Sequence, residues 1–191
     1  SDEYRNPKEF FRRTFLTESL KRLLVGGVVR LSGKGGDPVV QLQTAFGGGK
    51  THTMLAVYHL ATRKTALSEL AGVPGLIDRA GLMDVPPARV AVLDGMAHAP
   101  AQSWKRGKQG IKTLWGEMAW QLGGADSFAL VKEADGTGTS PGKEVLRDLL
   151  DRQRPSVVQR NGREGPIEGP EPPVRRAIGQ APLDSCLQAV R

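Results

Sequence analysis

The run Gly47-Gly48-Gly49-Lys50-Thr51 is where residue type and spacing most clearly permit chemistry. Adjacent glycines let a backbone curl so that successive N–H groups converge on one anion. Lys50 adds a positive charge for phosphate oxygens, and Thr51 a hydroxyl that can ligate Mg²⁺. With Ala45 and Phe46 before it and His52 after it, the run makes a loop able to cradle the phosphates of a nucleotide such as ATP. The usual spacing is G-x-x-x-x-G-K-[ST], and here Thr44 occupies the first glycine's place. The competing explanation is a glycine-rich turn between a strand and a helix. The surroundings favour the phosphate loop. Gly36 and Pro38 punctuate its approach, residues 39–42 suit a buried parallel strand, and residues 54–60 continue as an apolar helix. That helix would present its N-terminus to the same anion.

A nucleotide site that hydrolyses also needs a carboxylate. Residues 89–93 read as a second buried strand, and Asp94 stands at its carboxyl end, where an acid can hold Mg²⁺ through water. Gly95 follows in the place where many such proteins carry a second acid, and a loop-capping Asp explains Asp94 equally well. His52 and His59 fall on one helix face, but with His98 distant they read as packing and hydrogen-bonding residues rather than metal ligands. No nucleophile–His–acid arrangement stands out. Lys105, Arg106 and Lys108 beside Trp104, in a loop expected over 97–109, are the best local candidates for polyanion contact, against a solvated loop. The run from Asp135 to Glu144 imitates a second phosphate loop, but Glu144 follows Lys143 where a hydroxyl is needed. Ser140 capping a helix with Pro141 first inside explains it without a ligand.

The elements that would position these residues follow from local signals. Asn6-Pro7-Lys8-Glu9 has the composition of a reciprocal helix cap, with Phe10, Phe11 and Phe15 directed at a neighbour. Thr17 is a second cap, and Leu20, Leu23, Leu24, Val28 and Leu31 keep helical spacing after it. Leu114, Trp115, Met118 and Leu122 form another apolar stripe, which Gly123-Gly124 stops before a short helix over 127–133. The fold class this predicts is α/β: a P-loop NTPase-like parallel sheet flanked by helices, with the strands at 39–43 and 89–93 parallel in it.

At 191 residues the chain can bury one core without disulfides, and its single Cys186 excludes an intramolecular disulfide and points to a reducing, cytoplasmic setting. No apolar leader opens the chain and no run reaches membrane-spanning length, so a soluble protein is expected. The net charge of +7 permits contact with a polyanion, but it is scattered and lacks aromatic interleaving, so solvated Lys and Arg account for most of it. Near residue 158 the composition changes. A strand starting at Ser156-Val157-Val158 meets Gln159-Arg160-Asn161, and after Lys143 there are eight Arg and no Lys. A native Gly/Pro/Arg-rich tail and a shifted or prematurely ended reading frame both suit that switch. The organisation expected is a helical segment over 1–36, a partial nucleotide-binding domain over 37–158, incomplete on its C-terminal side, and a largely disordered tail over 159–191 with a weak helical turn over 183–190.

The residues Gln43-Thr44-Ala45-Phe46-Gly47-Gly48-Gly49-Lys50-Thr51-His52-Thr53, Leu114-Trp115-Gly116-Glu117-Met118-Ala119-Trp120-Gln121-Leu122-Gly123 and Gly138-Thr139-Ser140-Pro141-Gly142-Lys143-Glu144, with residues 4–40, resemble the N-terminal part of a family of large prokaryotic AAA+-type ATPases. That family is described as a domain of unknown function and is associated with DNA-methylation-linked phage defence. The resemblance spans about residues 4–158. It implies that Thr44 is ordinary at its position, that Lys50 and Thr51 are the phosphate and Mg²⁺ ligands, and that the strand at 156–158 should lead into an acidic Mg²⁺ and water-positioning motif. This chain departs there, so it is expected to bind ATP and turn it over poorly. The resemblance further implies DNA or a DNA-modification protein as partner and a homo-oligomeric full-length family. The alternative function is a non-catalytic fragment that binds nucleic acid or a partner and keeps the loop as scaffold, or a product with no independent activity.

Overall fold

The computed structural model describes residues 2–42, 49–95, 103–161 and 185–190. Helices α1 (Asp2–Arg5) and α2 (Pro7–Arg13) meet at Asn6, whose side chain accepts hydrogen bonds from the amides of Lys8 at 3.0 Å and Glu9 at 3.4 Å. Glu9 turns to Arg12 at 2.7 Å, and that pair takes the carboxylate expected to return to the Asn6 amide. Phe10 and Phe11 are buried as expected, whereas Phe15 lies beyond the helix and is 85% exposed. Thr17 caps α3 (Glu18–Leu31) through the Leu20 amide, and Leu20, Leu24, Val28 and Leu31 form its buried stripe.

Strand β1 (Val39–Gln41) and helix α4 (Lys50–Thr62) flank the glycine run, and a 3₁₀ turn at Leu67–Glu69 and α5 (Val73–Arg79) lead to β2 (Arg89–Asp94). The described part of the expected loop over 97–109 starts a hairpin, β3 (Trp104–Arg106) with β4 (Gln109–Ile111), turning through Gly107 at φ 61°. Helix α6 (Leu114–Thr137) is broken where a stop was expected, since Gly123 and Gly124 have non-helical backbone angles. Helix α7 (Lys143–Arg152) begins two residues later than the Ser140-Pro141 signal suggests, with Gly142 as a cap that offers no side chain. The Arg154–Pro155 peptide is cis, and β5 (Ser156–Asn161) follows.

The fold is mixed α/β. Strand β5 pairs parallel with β2, from Arg89 opposite Ser156 to Asp94 opposite Asn161. A last strand, β6 (Ser185–Val190), lies antiparallel to both β1 and β5, giving the sheet order β1-β6-β5-β2. Two reversals leave β1 running with β2 and β5, so the two strands expected to be parallel in one sheet are so. The sheet itself is mixed rather than all-parallel. Residues 185–190 form a strand where a weak helical turn in a largely disordered tail was expected, while 162–184 lie outside the described residues. A six-residue strand bonded on both sides is stabilised by its neighbours and not by a local period in its own sequence.

One core packs α2, α3, α4 and α5 against Val157, with Val90 beside it. A second packs α6, α7 and Ile111 against Ala91, Leu93 and Val158. The alternation along β2 and β5 therefore divides the sheet into an α4 face and an α6 face.

Candidate phosphate site at the start of α4

Two hydrogen bonds fix how α4 lies on the sheet. Near its C-terminal end the Ala61 carbonyl accepts from the Ala88 amide, just before β2 begins, at 2.7 Å. Near its N-terminal end the Met54 carbonyl accepts from Gln159 Nε2, near the end of β5, at 2.9 Å. The helix thus runs antiparallel to β2 and β5, and its first turn lies at the strands' carboxyl ends. From Met54 back to Lys50 is about 6 Å of helix, and from Gln159 on to Asn161 is about 7 Å of strand. The start of α4 accordingly comes level with Asp94 and its register partner Asn161. Val90 packs into the α4-side core, so alternation places Asp94, four residues on, on the same face.

Gly49 caps α4 in the left-handed region, at φ 76° and ψ 15°, and contributes no side-chain acceptor to the amides of the first turn. That angle favours a glycine, and helix starts of this kind bind anions. Lys50 is half-buried and Thr51 exposed. The structure brings Gly49, Lys50, Thr51 and His52 together at this end, while Ala45, Phe46, Gly47 and Gly48 lie outside the described residues. Of the residues expected to hold phosphate and Mg²⁺, those described have chemistry that fits an anion with a hydrated cation: a helix start whose glycine cap makes no side-chain bond, a lysine, a hydroxyl and a strand-end acid at the same end of the sheet.

The two histidines of α4 do turn to one side. His52 stacks on Phe10 with ring centroids 4.5 Å apart, and His59 lies 5.0 Å from the same ring. His59 Nε2 donates to the Tyr4 carbonyl at 3.0 Å, which leaves its buried Nδ1 without a partner. Protonating that nitrogen would bury an unpaired N–H, and burial accordingly holds the His59 pKa down despite the Tyr4 bond. Among the described residues no group of three or more His, Cys, Asp or Glu could hold a metal ion.

Trp104 and Arg106 are engaged within the protein, although Arg106 stays 41% exposed. Trp104 Nε1 donates to Glu117 Oε2 at 2.6 Å, and the Arg106 guanidinium forms an ion pair with Glu117, its Nε 3.0 Å from Oε1. Glu117 itself is fully buried on α6. Burial alone would push its carboxyl up, but the hydrogen bonds from Arg106, Trp104 and Gln121 hold it below the usual carboxylate range. Gln121 then bridges to the edge of β2, accepting from the Val92 amide at 2.8 Å and donating to its carbonyl at 2.9 Å.

A family model described as the DUF499 N-terminal domain matches residues 1–159. The chain belongs to this family. No curated protein and no solved structure matches it. The DUF499 match stops within β5, so β6 lies beyond the matched residues. No helix among the described residues is long and apolar enough to cross a membrane.

At the carboxyl end of β5 this DUF499 chain has Gln159-Arg160-Asn161 where the resemblance implied acids. Gln159 is buried and spends its amide on Met54, which joins β5 to α4. Asp94 is therefore the sole acid within the described residues of β2 and β5. Sequence reasoning missed Gln159, Glu117 and Gln121 as organising residues. Glu117 and Gln121 carried a signal, because both interrupt the apolar stripe set by Leu114, Met118 and Leu122.

Proposed function

We propose that this DUF499 N-terminal domain binds ATP with Mg²⁺ at the start of α4. The observation that carries the proposal is the antiparallel course of α4, which turns its first residues, Gly49, Lys50 and Thr51, toward the same end of the sheet as Asp94, the carboxyl ends of β2 and β5. Ligands of open α/β sheets bind at that end. In this reading the first-turn amides and Lys50 bind the phosphates, with Gly47 and Gly48 completing the cradle, and the Thr51 hydroxyl and Asp94 hold the hydrated cation. Mg²⁺ supplies neutralisation of phosphate charge. The kinship with AAA+-type ATPases, the homo-oligomer, and the placing in a DNA-methylation-linked defence system with DNA or a modification protein as partner are part of this reading, supported by the resemblance alone.

Turnover is slow in this reading. Ground-state contacts to phosphate are present, but Gln159 and Asn161 cannot orient water as carboxylates do, and hydrolysis draws on groups that act only in the transition state. Equilibrium titration of the full chain with ATP, with and without Mg²⁺, followed by single-turnover hydrolysis on the same samples, tests both parts. Lys50→Ala should weaken binding about tenfold or more, near 1.4 kcal/mol, and Lys143→Ala should leave it unchanged. Equal losses, or a hydrolysis rate on the order of 1 s⁻¹ as in competent enzymes, would contradict the proposal.

A further inference from the structure

We infer that Phe10 and Thr14 are positioning residues for the phosphate site, holding the first turn of α4 in place through His52; this rests on the nucleotide reading above. With Gly49 as the cap, His52 is the third residue of α4 and shares its opening turn with Lys50 and Thr51. Its ring stacks on Phe10 at 28° between planes, and its Nε2 lies 3.0 Å from Thr14 Oγ1. Thr14 donates its only hydroxyl hydrogen to the Phe10 carbonyl at 2.6 Å. Toward His52 the hydroxyl therefore accepts, and Nε2–H of the ring donates, which assigns the protonated nitrogen by elimination.

The other end of this linkage is anchored. Phe10 and Phe11 are 2% and 1% exposed in the α4-side core, and Asn6 fixes the start of α2. Thr14 is the residue that ends α2. The chain of contacts runs from the core through α2 to His52, and so to the backbone amides that face the phosphate. Stacking sets the distance of the ring from α2, and the hydrogen bond sets its rotation. A group that acts only by positioning gains affinity by pre-organisation rather than by touching the ligand.

The test compares ATP·Mg²⁺ affinity and thermal midpoint in the full chain for Thr14→Val, Thr14→Ser and Thr62→Val. Thr62 makes the same kind of bond, Oγ1 to the Tyr58 carbonyl at 2.9 Å, at the far end of α4, and controls for loss of a helix-end hydroxyl. Thr14→Val should weaken binding about three- to tenfold, Thr14→Ser should restore it, and Thr62→Val should bind as wild type even where its midpoint falls equally. His52→Ala combined with Thr14→Val should lose no more than the larger single loss, as expected of groups acting as a unit. Wild-type binding with unchanged affinity in Thr14→Val, or equal weakening in Thr62→Val, would overturn the positioning role alone. A wild-type chain that does not bind ATP would overturn the nucleotide reading and the positioning role with it.

Discussion

Glu117 is enclosed by three donors, Trp104 Nε1, the Arg106 guanidinium and Gln121 Nε2, and remains a carboxylate because of them. Arg106 is 41% exposed, so water relieves part of its charge if the pair is broken. Glu117→Gln replaces an acceptor by an amide facing three donors, and should cost about 1–3 kcal/mol of stability. The sign of the pH effect follows from the lowered folded pKa. The carboxylate's contribution is complete above the unfolded value near 4.5 and is lost as pH falls through the lower folded value. Urea denaturation of wild type and Glu117→Gln should therefore give a gap that is constant near neutrality and narrows below about pH 4.5; a gap unchanged by acid would refute the assignment. The two sites differ in what the chain reveals at this scale. The cap at Asn6 is legible because its neighbours in sequence do the work. The partners of Glu117 and Gln159 are not, since Glu117 bonds a hairpin 11 residues away and Gln159 a helix 105 residues away.

Elements were legible where local chemistry starts or stops them. Thr17 opens α3, the glycine cap opens α4, and Gly123-Gly124 interrupts α6. A Cβ on Gly123 would overlap Ser127 Oγ and lie 2.8 Å from Gln153 Nε2, two side chains that bond each other at 2.9 Å. Gly123→Ala must displace that pair and should destabilise by about 1–3 kcal/mol. Gly75, exposed inside α5 with open space around its Cβ direction, should tolerate alanine and gain about 0.5–1 kcal/mol. Thermal denaturation of the two variants decides the matter, and equal effects would mean that the break in α6 is a propensity effect and not a packing one. The β3–β4 hairpin and β6 were not legible. The hairpin's residues read as a basic loop because Arg106 reveals its inward carboxylate only in three dimensions. Strand β6 owes its conformation to pairing with β1 and β5.

Across the whole molecule, positive charge is dispersed into short-range pairs such as Arg12–Glu9, Arg147–Glu144 and Arg152–Asp148, all exposed and each worth little to stability. The proposed nucleotide site lies apart from these pairs, at the carboxyl ends of β2 and β5, where Gln159 ties β5 to the first turns of α4. The order of α4 against the strands could not be read from the sequence, because it depends on two bonds that join distant segments. Amide hydrogen exchange of the full chain with and without ATP·Mg²⁺ tests the location directly. Nucleotide should slow exchange in residues 49–53 and at the Asp94 end of β2, and leave the hairpin over 104–111 unchanged. Protection of the hairpin, with none at the start of α4, would contradict it.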